Sequence, residues 1–311
     1  MFKNLCLLNV FLVLIVFSSR LHSLEFSVEE QSFGKQYLSS AKESSSSNKV
    51  LVAILIASQL PQSEALEKFY TQGLTLAFDN ILWFDQATKR CLFSEKRMIC
   101  NPTDSIEELK KMDQDNGLPH IYSAIYHVRK NDLSKAYEEL NSAANKKKYD
   151  DFYWKRFSIL LETLKEAGYP KTHLHTAAIK YSHNMVVQPY QELMHLCNEQ
   201  SKLSLDWRNS CVKIGKLLEN KGTIFFANMV GFALQREALK NDTNDVARLK
   251  KVMEEREALN QWRINAVKIL DFIEAQKKGP DSYYSDLVEF GERKAIENAL
   301  MLNNEHNKPK Q

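Results

Sequence analysis

Apolar residues recur at three- and four-residue intervals through most of this 311-residue chain, and the two-residue alternation typical of strands is almost absent after residues 1–23. Nine glycines and seven prolines leave few positions for tight turns. With 44% apolar residues, including 16 phenylalanines, the chain can bury a large core. These features predict an all-α protein built from amphipathic helices that pack against each other.

The N-terminal segment has the composition of a secretory signal peptide. Lys3 supplies a positive charge, an apolar run extends from Leu5 to Phe17, and the small residues of SSRLHS follow. The run is shorter than the roughly 18 residues of a membrane-spanning helix. We therefore expect residues 1–23 to be removed during export, leaving no stable membrane span. Cleavage after Ser18 or after Ser23 stays open, and an uncleaved anchor is the alternative.

Export would place the chain in an oxidising compartment, the bacterial periplasm or the exterior, and this changes how its cysteines are interpreted. Four cysteines follow the signal segment, an even number that favours disulfides over free thiols. We expect the pairs that are local in sequence, Cys91 with Cys100 and Cys197 with Cys211, because each brackets a short polar segment that could join two helices. Buried thiols are the alternative, and neither spacing suits zinc.

The balance of charge argues against a nucleic-acid-binding protein. The chain has 42 basic and 39 acidic residues, and its formal net charge is +3. Removing residues 1–23 takes away two basic residues and no acid, which leaves 40 basic residues against 39 acidic ones. A nucleic-acid-binding domain usually concentrates basic residues on one face. The run Lys146, Lys147 and Lys148 is flanked by acids, and we interpret it as a solvated helix end.

Composition along the chain predicts a sequence of segments. Residues 24–49 end in a serine-rich stretch and are expected to form a disordered leader. Residues 50–170 are expected to form an N-terminal helical array and residues 171–305 a C-terminal one, followed by a frayed tail at 306–311. The C-terminal array contains a long helix at 243–277, which either packs along the array or makes a homodimer contact as a short coiled coil.

Residues 117–151 contain two amphipathic segments separated by Asn131 and Asp132, and together these segments predict an antiparallel helix hairpin of about 34 residues. This hairpin resembles a tetratricopeptide (TPR) repeat. The small and bulky apolar positions of the repeat are matched by Ala124, Ala136, Leu140 and Ala143. The positions where the family prefers Trp, Leu, Tyr and Pro are occupied by His120, Ser123, His127 and Lys148.

The resemblance implies a TPR-like α-solenoid, an array of antiparallel helix pairs. In this family the first helix of each hairpin lines a concave face that binds peptides or helices of other proteins. Carried over to this chain, the candidate binding residues are Ile121, Tyr122, Ile125 and Arg129. The alternative is that these residues contact the preceding helix instead. The chain is also similar to uncharacterised helical exported proteins of Gram-negative bacteria, a likeness that implies no activity.

The sequence contains no recognisable catalytic or metal-binding motif, since HExxH, a glycine-rich phosphate loop and G-x-S-x-G are all missing. His173 and His175 are close in sequence, but residues two apart on a helix point about 200° from each other and could not share a metal there. We therefore expect a protein-interaction or scaffold module without metal or cofactor. The alternatives are a secreted effector, or an exported enzyme whose site gathers aspartates with several of His120, His127, His173, His175 and His183.

Overall fold

The computed structural model describes the chain in seven stretches, which are residues 27–59, 63–76, 80–93, 100–182, 187–240, 245–275 and 280–306. The predicted signal segment lies outside these stretches. The described residues form fifteen α-helices, one short 3₁₀ helix and no strand, so the protein is all-α as predicted. Isolated bridges join Asn116 to Lys148 and Tyr149 to Gly222.

The helices follow one another along the chain with the following first and last residues. They are α1 (Val28–Ala41), α2 (Ser47–Ala57), α3 (Ser63–Leu76), α4 (Ile81–Phe93), α5 (Thr103–Met112), α6 (Leu118–Arg129), α7 (Leu133–Ala144), α8 (Tyr153–Glu166), the 3₁₀ helix Lys171–His173, α9 (Leu174–Ser182), α10 (Val187–Gln200), α11 (Leu205–Lys221), α12 (Phe225–Leu239), α13 (Val246–Ala275), α14 (Pro280–Phe290) and α15 (Glu292–His306). Among them, no helix has the length and apolarity needed to cross a membrane.

The chain divides into two compact units, and the division differs from the expected boundary near residue 170. The first unit combines the described residues up to 76 with 161–182, and the second contains 80–160 and the described residues from 187 onward. Helix α2 explains the difference, because all of its residues from Val50 to Ala57 are buried. A helix that is apolar all round must be covered on every side. The segment after residue 160 supplies α9 as part of that cover.

Residues 24–49 were expected to be a disordered leader, but the structure contains a helix, α1, at Val28–Ala41. A capping box starts this helix, since the Ser27 hydroxyl accepts from the Glu30 backbone N–H at 3.1 Å and the Glu30 carboxylate accepts from the Ser27 N–H at 2.7 Å. Tyr37 and Leu38 bury the other face. The serine-rich stretch is the turn before α2, where Ser46 caps the next helix.

The hairpin predicted from residues 117–151 is present as α6 and α7, which pack against each other. Pro119 lies in the first turn of α6, where its missing N–H costs nothing. The Asp132 carboxylate caps α7 by accepting from the Lys135 backbone N–H at 3.2 Å. The four residues that carry the TPR resemblance are fully buried, and they are Ala124, Ala136, Leu140 and Ala143. Paired neighbouring helices of this kind are compatible with a helical repeat.

Helices α11 and α12 form the most closely packed pair in the second unit, and two glycines permit this approach. A Cβ atom built on Gly231 would lie 2.5 Å from the carbonyl oxygen of Gly215, and one on Gly215 would lie 2.7 Å from that of Gly231. Real Cβ atoms do not approach backbone this closely. The crossing therefore depends on the absence of side chains at both positions.

The cysteines form the two pairs that are local in sequence, which confirms that prediction. Cys91 and Cys100 have Cα atoms 5.6 Å apart, and Cys197 and Cys211 have Cα atoms 5.7 Å apart. Both separations lie within the range of ordinary disulfides. The second pair joins α10 to α11, and both of its cysteines are fully buried.

Candidate functional sites

Three of the four predicted binding residues are buried in the helical core. Ile121 and Tyr122 are 0% exposed and Ile125 is 2% exposed, because α6 packs against α4, α5, α7 and α10. Arg129 is exposed, and its guanidinium lies 2.6 Å from the Glu192 carboxylate and over the Phe93 ring. The structure thus differs from the open concave face expected at these positions, and it agrees with the alternative in which they contact neighbouring helices.

Tyr122 instead belongs to a buried charge network centred on Asp85. The Tyr122 hydroxyl donates to one oxygen of the Asp85 carboxylate at 2.7 Å. The other oxygen accepts from Lys89 Nζ at 2.9 Å and from Arg156 Nη1 at 3.0 Å. Asp85 and Lys89 are one turn apart on α4, which places their side chains on the same face.

The network continues from Arg156 to a second carboxylate. Arg156 Nη1 donates to the backbone oxygen of Asp151 at 2.9 Å. The Asp151 carboxylate accepts from the Tyr190 hydroxyl at 2.9 Å and from the Tyr153 backbone N–H at 3.1 Å. The network therefore joins side chains of α4, α6, α8 and α10, with Asp151 in the connection before α8.

Burial changes the titration of Lys89 and Asp151. Burial and, to a smaller extent, the nearby charge of Arg156 together lower the pKa of Lys89 to about 8, against the opposing effect of Asp85. Burial also raises the pKa of Asp151, which the charge of Arg156 partly offsets. These groups are at most 4% exposed, so a substrate could reach them only if the surrounding helices separated. We interpret the network as a device that fixes how four helices pack.

A smaller polar cluster joins α5, α6 and α7 near the surface. Glu139 accepts from His120 Nδ1 and from Lys110 Nζ, each at 2.7 Å. Burial would raise the pKa of Glu139, but the hydrogen bonds from His120 and Lys110 outweigh it and lower the pKa to about 2. His120 occupies the position where the TPR family prefers Trp. In this chain the position makes a polar contact with a neighbouring helix.

The histidines of the enzyme alternative are distributed between the two units. His120 and His127 belong to the second unit, and His173 and His175 to the first. His183 lies outside the described residues. Within the part of the chain that the structure describes, no group of three or more His, Cys, Asp or Glu side chains is arranged to hold a metal ion.

An open concavity of about 520 Å³ lies between α7 and α11 in the second unit. The two helices run in parallel. The Tyr137 ring lies near the Trp207 ring at their beginnings, and the Tyr149 N–H, just after α7, donates to the Lys221 carbonyl at the end of α11. We call this site the lysine concavity. Its lining residues are Ala144, Lys146, Lys147, Lys213, Lys216, Leu217, Asn220 and Lys221.

The run at 146–148 is interpreted from its sequence as a solvated helix end, and the sequence gives no sign of a concavity there. Two of its lysines, Lys146 and Lys147, line the concavity together with lysines of α11. Lys147 pairs with exposed Asp115 at 3.2 Å, and Lys146 Nζ donates to the Gln114 carbonyl at 2.8 Å. The three lysines of α11 have no carboxylate within 4 Å among the described residues, and they are Lys213, Lys216 and Lys221. The concavity therefore carries an excess of positive charge.

The first unit has a groove of about 720 Å³ between α1, the start of α2 and the end of α8. Its wall is mixed in charge, because Lys49 lies across from Glu43 and Glu166 in the same lining. The Tyr37 hydroxyl donates to the Lys49 carbonyl at 3.1 Å and ties the two sides of the α1–α2 turn together. This groove shows no preference for one sign of charge.

Comparison with family models, with curated proteins and with solved structures finds no match for this chain. The TPR relationship therefore stays a resemblance, based on the residues of the α6–α7 hairpin.

Proposed function

We propose that this protein is an exported scaffold that binds another protein or peptide, built as a TPR-like array of helix pairs after removal of residues 1–23. Two disulfide pairs support an oxidising compartment such as the periplasm or the exterior. The helix pairs packed in neighbouring order support the array.

The observation that carries this proposal is where the charged groups lie. The ionisable groups that are deeply buried, those around Asp85 and Asp151, take part in ion pairs and hydrogen bonds that hold helices together. Five lysines, by contrast, gather around an open surface concavity. Internal charge is used for packing and external charge is presented to solvent, which favours surface recognition over chemistry in an enclosed site.

Site-specific photo-crosslinking of the mature protein in its native compartment tests this function. A photoreactive residue replaces Asn220 in the lysine concavity or Ser40 in the groove of the first unit. The same residue at exposed Lys250 on α13 is the control. We expect a discrete protein adduct from Asn220 or Ser40 that Lys250 does not give. Adducts that are the same from all three positions, or none, would contradict the proposal.

A further inference from the structure

We propose that the lysine concavity between α7 and α11 binds an acidic peptide segment of the partner protein. This inference rests on the proposed function and adds to it the site and the chemistry of the ligand. Lys146 and Lys147 follow α7, whereas Lys213, Lys216 and Lys221 lie on α11. Five lysines thus line one surface of a protein whose overall charge is nearly balanced. Lys147 is paired with Asp115 and the charge of Lys216 acts on Glu219, so positive charge remains in excess there.

The five lysines are close enough to attract a ligand together. Lys213 and Lys216 are one turn apart on α11, about 5 to 6 Å between Cβ atoms, which is less than the Debye length of about 8 Å at physiological ionic strength. Charges within that distance are not fully screened from one another, so they repel each other while the site is empty. A ligand that carries several negative charges relieves this repulsion, and affinity then depends steeply on salt.

Local structure explains some of these lysines but not all of them. Both helices end at the concavity, and cations near a helix C-terminus interact favourably with its dipole. That effect is confined to about the last turn, and it can account for Lys146, Lys147 and Lys221. Lys213 and Lys216 stand well before the end of α11 at Lys221. They are exposed, and among the described residues no carboxylate lies within 4 Å of them.

The lining favours an acidic peptide over nucleic acid. Ala144 and Leu217 line the concavity together with the lysines, which suits a segment that carries both acidic and apolar side chains. The described lining contains no arginine and no aromatic ring, the side chains that nucleic-acid sites use for bidentate contacts and base stacking.

Binding of a fluorescent peptide to the mature protein tests this inference. The probe is a twelve-residue segment of alternating glutamate and leucine, and a lysine–leucine version is the negative control. Anisotropy is measured at low and physiological salt. We expect saturable binding of the acidic probe that weakens as salt rises, and a loss of about tenfold in the variant Lys213→Glu/Lys216→Glu because attraction becomes repulsion.

The matched control is Lys250→Glu/Lys251→Glu, which makes the same change in net charge at two exposed lysines of α13. Circular dichroism first establishes that both variants fold, and Lys213→Gln/Lys216→Gln serves if charge reversal impairs folding. An equal loss of affinity in the two double variants would show that the probe responds to overall charge, and would contradict binding at the lysine concavity. Tighter binding of a heparin fragment, tripolyphosphate or phosphatidylserine vesicles that the peptide cannot displace would overturn the ligand class.

The outcome separates this inference from the proposed function. If Ser40 gives a specific protein adduct while the acidic probe does not bind, the protein is a scaffold and the lysine concavity is not its site. If no position gives an adduct and the probe does not bind, both fail.

Discussion

At the scale of single residues, one buried carboxylate organises much of the second unit. Asp85 accepts from Tyr122, Lys89 and Arg156, and its removal would leave the two buried cations without the carboxylate that they share. Breaking such a buried pair by removing one member costs about 3 to 5 kcal/mol. Replacing the whole network with apolar side chains of similar volume is expected to change the free energy of unfolding little. We infer that the Asp85 network determines which helices pack against each other.

We therefore predict that Asp85→Ala lowers the free energy of unfolding by about 3 kcal/mol or more in urea denaturation. The matched control is Glu108→Ala, which removes an exposed ion pair with Lys111 at 2.6 Å and should change stability by about 0.5 kcal/mol or less. Equal losses in the two variants would show that the buried network does not hold the helices together.

Glu139 gives a prediction about pH. Its pKa in the folded protein, about 2, is below its ordinary value of 4.5. A depressed pKa means that the ionised group stabilises the folded state above pH 4.5 and that this contribution is lost as the pH falls toward 2. The urea midpoints of wild type and Glu139→Gln should therefore differ most above pH 5 and converge near pH 2. A constant difference across this range would contradict the assignment.

At the scale of helices, the α11–α12 crossing depends on two glycines. The new Cβ atom in Gly231→Ala would lie 2.5 Å from the Gly215 carbonyl oxygen and from the Glu219 backbone nitrogen. Overpacking of this kind costs about 1 to 3 kcal/mol. We expect a lower thermal midpoint by circular dichroism, whereas Asn220→Ala on the exposed face of α11 should have little effect. A thermal midpoint of Gly231→Ala equal to that of the wild type would show that the close α11–α12 crossing does not require glycine at this position.

The disulfide between α10 and α11 is the second helix-scale prediction. Cys197 and Cys211 close a segment with a sequence separation of 14, and the loop-entropy account gives about 3 kcal/mol for a loop of this length. Cys197→Ala/Cys211→Ala should lose about that much stability in urea under oxidising conditions. Reductant should remove most of the difference between variant and wild type. A variant as stable as the oxidised wild type would argue against a structural disulfide.

At the scale of the whole molecule, the features that the sequence predicted are those set by local spacing. The helical class, the α6–α7 hairpin and the two cysteine pairs all depend on residues close together in the chain. Helix α1 differs from the predicted leader, because the serine-rich stretch favours a disordered segment whereas Ser27 and Glu30 form a capping box that starts a helix. That capping pattern is itself local in the sequence.

Features that depend on distant segments could not be predicted in this way. Ile121 and Ile125 lie on a helical face that looks suited to binding, but whether it is open depends on α4 and α10, which approach from elsewhere in the chain. The lysine concavity likewise exists because α11 packs in parallel beside α7 and brings Lys213 and Lys216 next to Lys146. The residue spacing within α7 or α11 alone does not indicate that these two helices pack side by side.

The central claim is that the protein recognises a partner through the lysine concavity. The most direct measurement is mass spectrometry of the adduct formed by a photoreactive residue at Asn220, which identifies the partner's crosslinked peptide. We predict a protein segment in which Asp or Glu residues alternate with apolar ones, and its loss in Lys213→Glu/Lys216→Glu. A basic or uncharged peptide, a nucleic acid, a lipid, or an adduct that persists in that variant would contradict the claim.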